Sequence, residues 1–505
     1  MASDRGRGAA PPRLTGSAHL LSDKCLPVVK NAPRARPGPA YDRGMPHGAI
    51  ENVSGELGDL LGDRFVTTQA AREHHGRDES PLPPALPDAV AWPESAAEIS
   101  QILRTCSSRS VPVIPFGAGT SLEGHVLATS GGLCLDLSRM NEIVSVNVDD
   151  LDVTVQPGVT RLQLEDRLAR EGLFFPVDPG ADATLGGMTA TGASGTTTVR
   201  YGAMRENVLS LEVVLPDGRI IRTGRRARKS SAGYDLTHLF VGSEGTLGVI
   251  SEISLRIYGI PEAISAAVTN FNTVEDAVRT VITTLQTGIP VARAEFLDEL
   301  AIKAVNGYSG LDYPVAPTLF FEFHGSESAV VEDANNVQAI AAEHGALEFN
   351  SALEEKERVK LWRARHDHFF ASLNLRPSAH AITTDACVPI SKLAECIVES
   401  KKDIERASLL ATTAGHVGDG NFHLMLLVDP DDEREIQAAE DVGSALVKRA
   451  LAMGGTCTGE HGIGIRKISA LNQEMGAAVD LMRSLKQAVD PTNIMNPGKV
   501  MPVIT

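Results

Sequence analysis

The chain has 505 residues, 43% hydrophobic and 22% charged, with 47 Lys plus Arg against 64 Asp plus Glu and a formal net charge of -17. At roughly 150 residues per domain this is length for about three domains with large buried cores, and the composition excludes global disorder. The acidic balance leaves no basic surface to neutralise phosphates, which excludes nucleic acid as the main partner, and no run of about eighteen uncharged apolar residues is present to form a transmembrane segment.

Residues 1–55 read as a flexible leader, because residues 1–50 hold eight Lys or Arg against three acids and carry Pro and Gly clusters such as residues 34–39. No hydrophobic core follows the N-terminal charges, so this is not a secretory signal. An Arg-rich start suits a transit peptide and a mitochondrial location. Asp4, Asp23 and Asp42 interrupt it, and Met45 is an alternative start. Six cysteines (Cys25, Cys106, Cys134, Cys387, Cys396, Cys457) stand without a C-x-x-C pair, against a disulfide framework or an iron–sulfur site. The main expectation is therefore a reducing, cytoplasmic setting, in which redox chemistry needs a bound organic cofactor and an external acceptor.

Helical spacing over 57–72 leads to a Pro-rich break at 80–87, after which strand and helix signals alternate. Residues 89–92 read as a strand, Ser95 with Glu98 as a capping box opening a helix, and 111–115 as a short buried strand. Strands over 153–159, 211–215 and 249–257 complete an α/β unit. Beyond Pro261, helices over 273–287, 328–344, 390–406 and 433–453 alternate with strands at 318–323 and 424–428, which predicts a second, α+β domain. A helix over 481–489 and a short tail close the chain.

Two glycine-rich segments stand out. The first holds Pro115, Gly117, Ala118, Gly119, Thr120 and Ser121; the second holds Pro179, Gly180, Thr184, Gly187, Gly192, Ser194 and Gly195. Small residues at this density let the backbone approach a ligand and turn successive N–H groups toward phosphate oxygens. Gly119 to Gly124 has P-loop spacing but is followed by His125-Val126, and Gly117 with Gly119 lacks the third glycine of the dinucleotide fingerprint. One such loop alone is often a plain turn. Two of them, with a third at 242–248, point to a diphosphate.

On residues 115–124, 177–180, 192–195, 200–202, 212–218 and 242–250, the chain resembles flavoproteins of the vanillyl-alcohol-oxidase type, in particular the FAD-linked D-lactate dehydrogenase and glycolate oxidase branch, over about 66–499. The resemblance implies an α+β protein with a two-subdomain FAD-binding α/β domain at 56–260. A substrate domain with an antiparallel sheet follows at 261–480, and residues 481–505 return to the FAD domain. It implies non-covalent FAD, with the diphosphate on residues 115–121 and the second glycine loop, Ile250 and Asn496 along the flavin and adenosine portions. His125 is then a loop residue rather than a point of attachment.

The phrase running from His416 to His423 brings two imidazoles together only if Gly418, Asp419 and Gly420 make a turn. Glu460 and the neighbouring His461 lie in a second glycine-flanked phrase. A lone His pair at this spacing is often two unrelated histidines. The resemblance implies a divalent metal on His416, His423 and Glu460, a ligand set that suits Zn or Mn and leaves positions open. It also implies that His461 is the base and that Arg365, on a predicted helix, grips a substrate carboxylate through its planar fork.

The expected reaction is oxidation of a D-2-hydroxy acid. The metal lowers the pKa of the substrate hydroxyl, His461 takes its proton, and a hydride passes from Cα to flavin N5. Relatives acting on 2-hydroxyglutarate carry a polar residue two positions after the second histidine and a lysine before the strand at 385; here stand Met425 and the uncharged residues 381–384. A second carboxylate would be buried without a partner. D-lactate is thus the first expectation and glycolate the second, with a cytochrome, a quinone or a partner protein as electron acceptor and a homodimer left open. The rivals are an oxidase, a glycolate oxidase subunit feeding iron–sulfur partners, and a colourless zinc hydrolase whose glycine loops are merely structural.

Overall fold

The computed structural model describes residues 50–501; residues 1–49, which carry nearly all of the expected leader, and residues 502–505 lie outside the described residues. Residues 51–55, placed with the leader, instead open the helix Glu51–Leu61, which buries Val53, Leu57 and Leu61 on one face. The single helix expected over 57–72 is also corrected. Gly62 turns the chain at φ +59°, Phe65–Val66 pairs with Ala91 and Val90, and a separate helix Gln69–His75 follows. Pairing of this short Phe-Val edge overrides the helical spacing.

Ser95 caps the helix Ala96–Ser108, its hydroxyl accepting from the N–H of Glu98. That helix covers a four-stranded sheet in which Ala89–Ala91, Leu133–Asp136 and Val113–Phe116 run parallel. A second, five-stranded antiparallel sheet has the order Ile143–Asn147, Asp152–Val155, Val249–Arg256, Val208–Val214, Ile220–Arg222. The strand expected to reach 159 stops at Val155, two residues before Pro157, which has no N–H for the ladder.

From Ala263 onward the chain builds an eight-stranded sheet whose neighbours are all antiparallel. Side chains alternate across it. One face packs Ala267, Phe321, Phe323 and Leu424 against the helices Val274–Gln286, Glu327–Glu343, Ile390–Arg406 and Glu433–Ala452. The other face packs Val268, Leu297 and Phe320 against helices Glu299–Ser309 and Glu355–Asn374 around Trp362. On this second face the strand Val291–Leu297 also carries Arg293 and Glu295, charges that burial permits only when paired. The architecture is α+β, as expected.

After the helix Ala478–Val489, the Asp490 carboxylate accepts from the N–H groups of Ile494 and Met495, and the tail joins Val113 through Val113 N–H to Ile494 O (2.7 Å) and Asn496 N–H to Val113 O (2.8 Å). Residues 494–496 thus lie beside the strand that feeds the first glycine loop. Among the described residues, no helix is long and apolar enough to cross a membrane.

Candidate active site

Strands Leu410–His416 and Asn421–Val428 form a hairpin in which Ala414 faces His423. The turn at 417–420, with Gly420 at φ +80°, returns the chain so that both imidazoles stand on one face, their ring centroids 5.6 Å apart. Glu460 reaches them from the loop after Glu433–Ala452: its Oε1 lies 3.1 Å from His423 Nε2 and 3.6 Å from His416 Nε2. Ligand atoms of the three residues lie within 4.8 Å of one another. Both outer nitrogens are engaged, Nδ1 of His416 with Glu295 Oε1 (2.7 Å) and Nδ1 of His423 with the Thr384 carbonyl (3.0 Å). With Nδ1 so engaged, each Nε2 is turned into the cluster, the orientation imidazoles take around a cation. Burial alone would lower the His416 pKa, yet Glu295 and Glu460 hold it well above the usual range. The site is built to hold positive charge.

His461 stacks on His423, centroids 5.3 Å apart and planes 10° from parallel. Its Nδ1 faces Glu123 Oε1 at 3.5 Å, and its Nε2 lies 3.9 Å from Glu460 Oε1. The loop carrying Glu460 and His461 is wound around Asp385, whose Oδ2 accepts from the Thr458 hydroxyl and from the N–H groups of Gly459, Glu460 and His461 at 2.7 to 3.0 Å. Burial would raise the Asp385 carboxyl, but Lys467, His461 and His423 drive it far below the carboxylate range. A second anchor, Glu244, accepts from the N–H groups of Ile463 and Gly464.

Arg365, on helix Glu355–Asn374, donates through Nε to Glu295 Oε2 at 2.8 Å. On the same helix His368 bonds Thr412 of the hairpin, burial pushes the His368 pKa down to about 3, and Thr412 sits opposite Met425.

The glycine loops flank this cluster. Residues 115–121 follow the strand Val113–Phe116, and the N–H groups of residues 117–122 meet no protein acceptor among the described residues. Gly117 lies against the Thr184 hydroxyl, which caps the helix Leu185–Thr191 through the Gly187 N–H, so the first loop and the start of the second touch. Gly192 ends that helix at φ +67°, and two residues on, Ser194 donates to Glu460 Oε2 at 2.9 Å, linking the second loop to the cluster. Gly195 packs on Asp178, and Ile250 is buried on Val249–Arg256. Gly180 stands open, with nothing against the position a Cβ would take. Asn496 donates to the carbonyls of His125 and Glu244, and His125 turns its ring to Glu244 at 3.3 Å.

A family model described as "FAD linked oxidases, C-terminal domain" matches residues 260–500, and one described as "FAD binding domain" matches residues 87–224. A protein of Danio rerio named "Probable D-lactate dehydrogenase, mitochondrial" is 50% identical over 458 residues, 90% of this chain and 92% of the relative. The chain belongs to the FAD-linked oxidase family. Two further members of that family are an Arabidopsis thaliana protein named "D-lactate dehydrogenase [cytochrome], mitochondrial", 46% identical over 88% of this chain and 79% of its own, and the Bacillus subtilis "Glycolate oxidase subunit GlcD", 35% identical over 87% and 94%. In fold, the chain is similar to 4-ethylphenol oxidase from Gulosibacter chungangensis, with a TM-score of 0.74, 17% identity and 91% and 98% of the two chains covered.

This FAD-linked oxidase therefore takes FAD, and the row of free N–H groups at 117–122, bent by Gly119 at φ +69°, has the donor chemistry of a diphosphate cradle. The colourless zinc hydrolase is set aside. Sequence reasoning missed Glu295, Asp385 and Glu123 as site residues. Two of them left a signal: Glu295 is an acid in a strand apolar but for Arg293, and Glu123 is an acid inside a glycine-rich loop.

Proposed function

We propose that this FAD-linked oxidase oxidises D-lactate to pyruvate and passes the electrons to a cytochrome in mitochondria. The observation that carries the reading is the convergence of His416, His423, Glu460 and His461 with Arg365 beside the loops that cradle FAD. Relatives named as mitochondrial D-lactate dehydrogenases support the substrate and the location, so the mitochondrial alternative replaces the cytoplasmic expectation. Glycolate is the second reading, supported by the more distant GlcD relative.

His416, His423 and Glu460 would hold a divalent ion, Zn or Mn by their chemistry, with Ser194 fixing the second oxygen of Glu460. When bound, the ion supplies Lewis acidity and FAD supplies the two-electron acceptor. Arg365 offers its remaining guanidinium nitrogens to the substrate carboxylate. His461 takes the hydroxyl proton at Nε2, since its Nδ1 faces Glu123. The substrate loses that proton together with a hydride from its α-carbon, which gives pyruvate. The neutral wall of His368, Thr412 and Met425 offers no partner to a second carboxylate, so D-2-hydroxyglutarate should be turned over poorly.

The test is the visible spectrum of purified protein loaded with FAD and Mn or Zn. Anaerobic D-lactate should bleach the flavin band, and cytochrome should restore it. A band that stays oxidised with D-lactate and glycolate alike, or equal turnover of D-2-hydroxyglutarate, would overturn the reading.

A further inference from the structure

Glu295 is fully buried, and its two oxygens are divided between residues of different elements. Oε1 accepts from Nδ1 of His416 at 2.7 Å and Oε2 accepts from Nε of Arg365 at 2.8 Å. The first contact is set by register, because Glu295 lies directly opposite His416 in the cross-strand pair of Val291–Leu297 with Leu410–His416. The second comes from above the sheet, where helix Glu355–Asn374 sends Arg365 down onto the same face. Among the described residues Arg365 has no other protein acceptor.

We propose that Glu295 is a positioning residue that aims the metal-binding imidazole and the substrate-binding guanidinium at once. Held at Nδ1, His416 must offer Nε2 to the ion, and its ring cannot flip without breaking the bond. Held at Nε, Arg365 keeps one edge on Glu295 and leaves its outer nitrogens free as a fork for a carboxylate. One buried carboxylate thereby fixes the relative placement of the two groups that grip opposite ends of a 2-hydroxy acid. Glu295 itself is fully buried, and no other protein group among the described residues accepts from His416 Nδ1 or Arg365 Nε.

This inference rests on the roles proposed for His416 and Arg365, so its test begins with the wild-type holoprotein. Metal retention is measured by titration with a chelator, and KM and kcat for D-lactate are measured at saturating metal. In Glu295→Gln the amide places an N–H group against one of its two donors. The expected result is a metal dissociation constant raised about 10- to 100-fold. The KM for D-lactate should rise about tenfold or more, the effect of losing one charge-assisted hydrogen bond, with a smaller change in kcat. FAD content stays unchanged. Glu295→Asp keeps the charge but is shorter by one methylene and cannot reach both partners, so at least one of the two quantities should shift there as well.

Wild-type metal retention and KM in both variants would overturn the inference alone. Loss of FAD together with metal in both would also overturn it, assigning Glu295 to folding rather than aiming. A wild-type protein that neither holds a divalent ion nor oxidises D-lactate would bring down the underlying reading, and the inference with it.

Discussion

Glu123 stands with Oε1 3.5 Å from Nδ1 of His461, and the two come from different halves of the protein. Glu123 lies in the loop that follows Val113–Phe116, while His461 lies beyond Glu433–Ala452. The carboxylate is fully buried and also meets Lys467 at 3.2 Å and Arg466 at 3.1 Å. Burial would raise its pKa, but these neighbours hold it below the usual carboxylate range. The first glycine loop thus ends in a charge that faces the proposed base.

Replacing Glu123 by Gln should therefore slow flavin reduction by D-lactate about tenfold or more while FAD and metal stay bound. Stopped-flow bleaching, with FAD and metal content measured on the same sample, checks this. A variant that bleaches at the wild-type rate would show that His461 needs no such support.

His461→Ala removes the proposed base and should slow reduction by about 10² to 10⁴, again without loss of either cofactor. Unchanged reduction kinetics would reject its role, and loss of metal would make it a ligand instead.

Gly119 sits at φ +69°, and a Cβ there would stand 2.9 Å from the Phe116 ring. Gly119→Ala should cost about 1–2 kcal/mol from backbone strain and raise the FAD dissociation constant about tenfold. Fluorescence titration of apoprotein measures it. Equal affinity would mean that the loop tolerates the side chain and does not hold the diphosphate at this point.

Glu322 supplies a pH dependence away from the cluster of His416, His423 and Glu460. Burial would raise its carboxyl above the ordinary 4.5, but Arg293 and the bond to His324 hold it down at about 2. Because the folded pKa is depressed, the stabilisation is complete above the unfolded value and is lost as pH falls toward the folded one. About 3 kcal/mol should disappear over that fall. Urea midpoints should decline from about pH 5 downward, and the decline should be shallower in Glu322→Gln. Parallel curves for the two proteins would assign the acid sensitivity elsewhere.

Much of this protein was legible in the chain because its information is local. Glycines spaced for an anion cradle, a capping Ser95, helices such as Ile390–Arg406 and the turn between His416 and His423 each follow from a few adjacent residues. Where local signals competed, as over 57–72, the edge pairing of Phe65–Val66 with Ala91 and Val90 won, and spacing alone misled.

What only the tertiary structure decided is which charges answer one another. Glu295 meets His416 across 121 positions and Arg365 across 70, Ser194 meets Glu460 across 266, and Asp385 gathers the loop of His461 from 76 positions away. Periodicity places each of these residues on a strand, a helix or a loop, but no local rule pairs an acid with a base that distant. That pairing is set when the sheets and helices pack, because a charge taken from water into the interior is tolerated only where the fold brings its partner within hydrogen-bond reach.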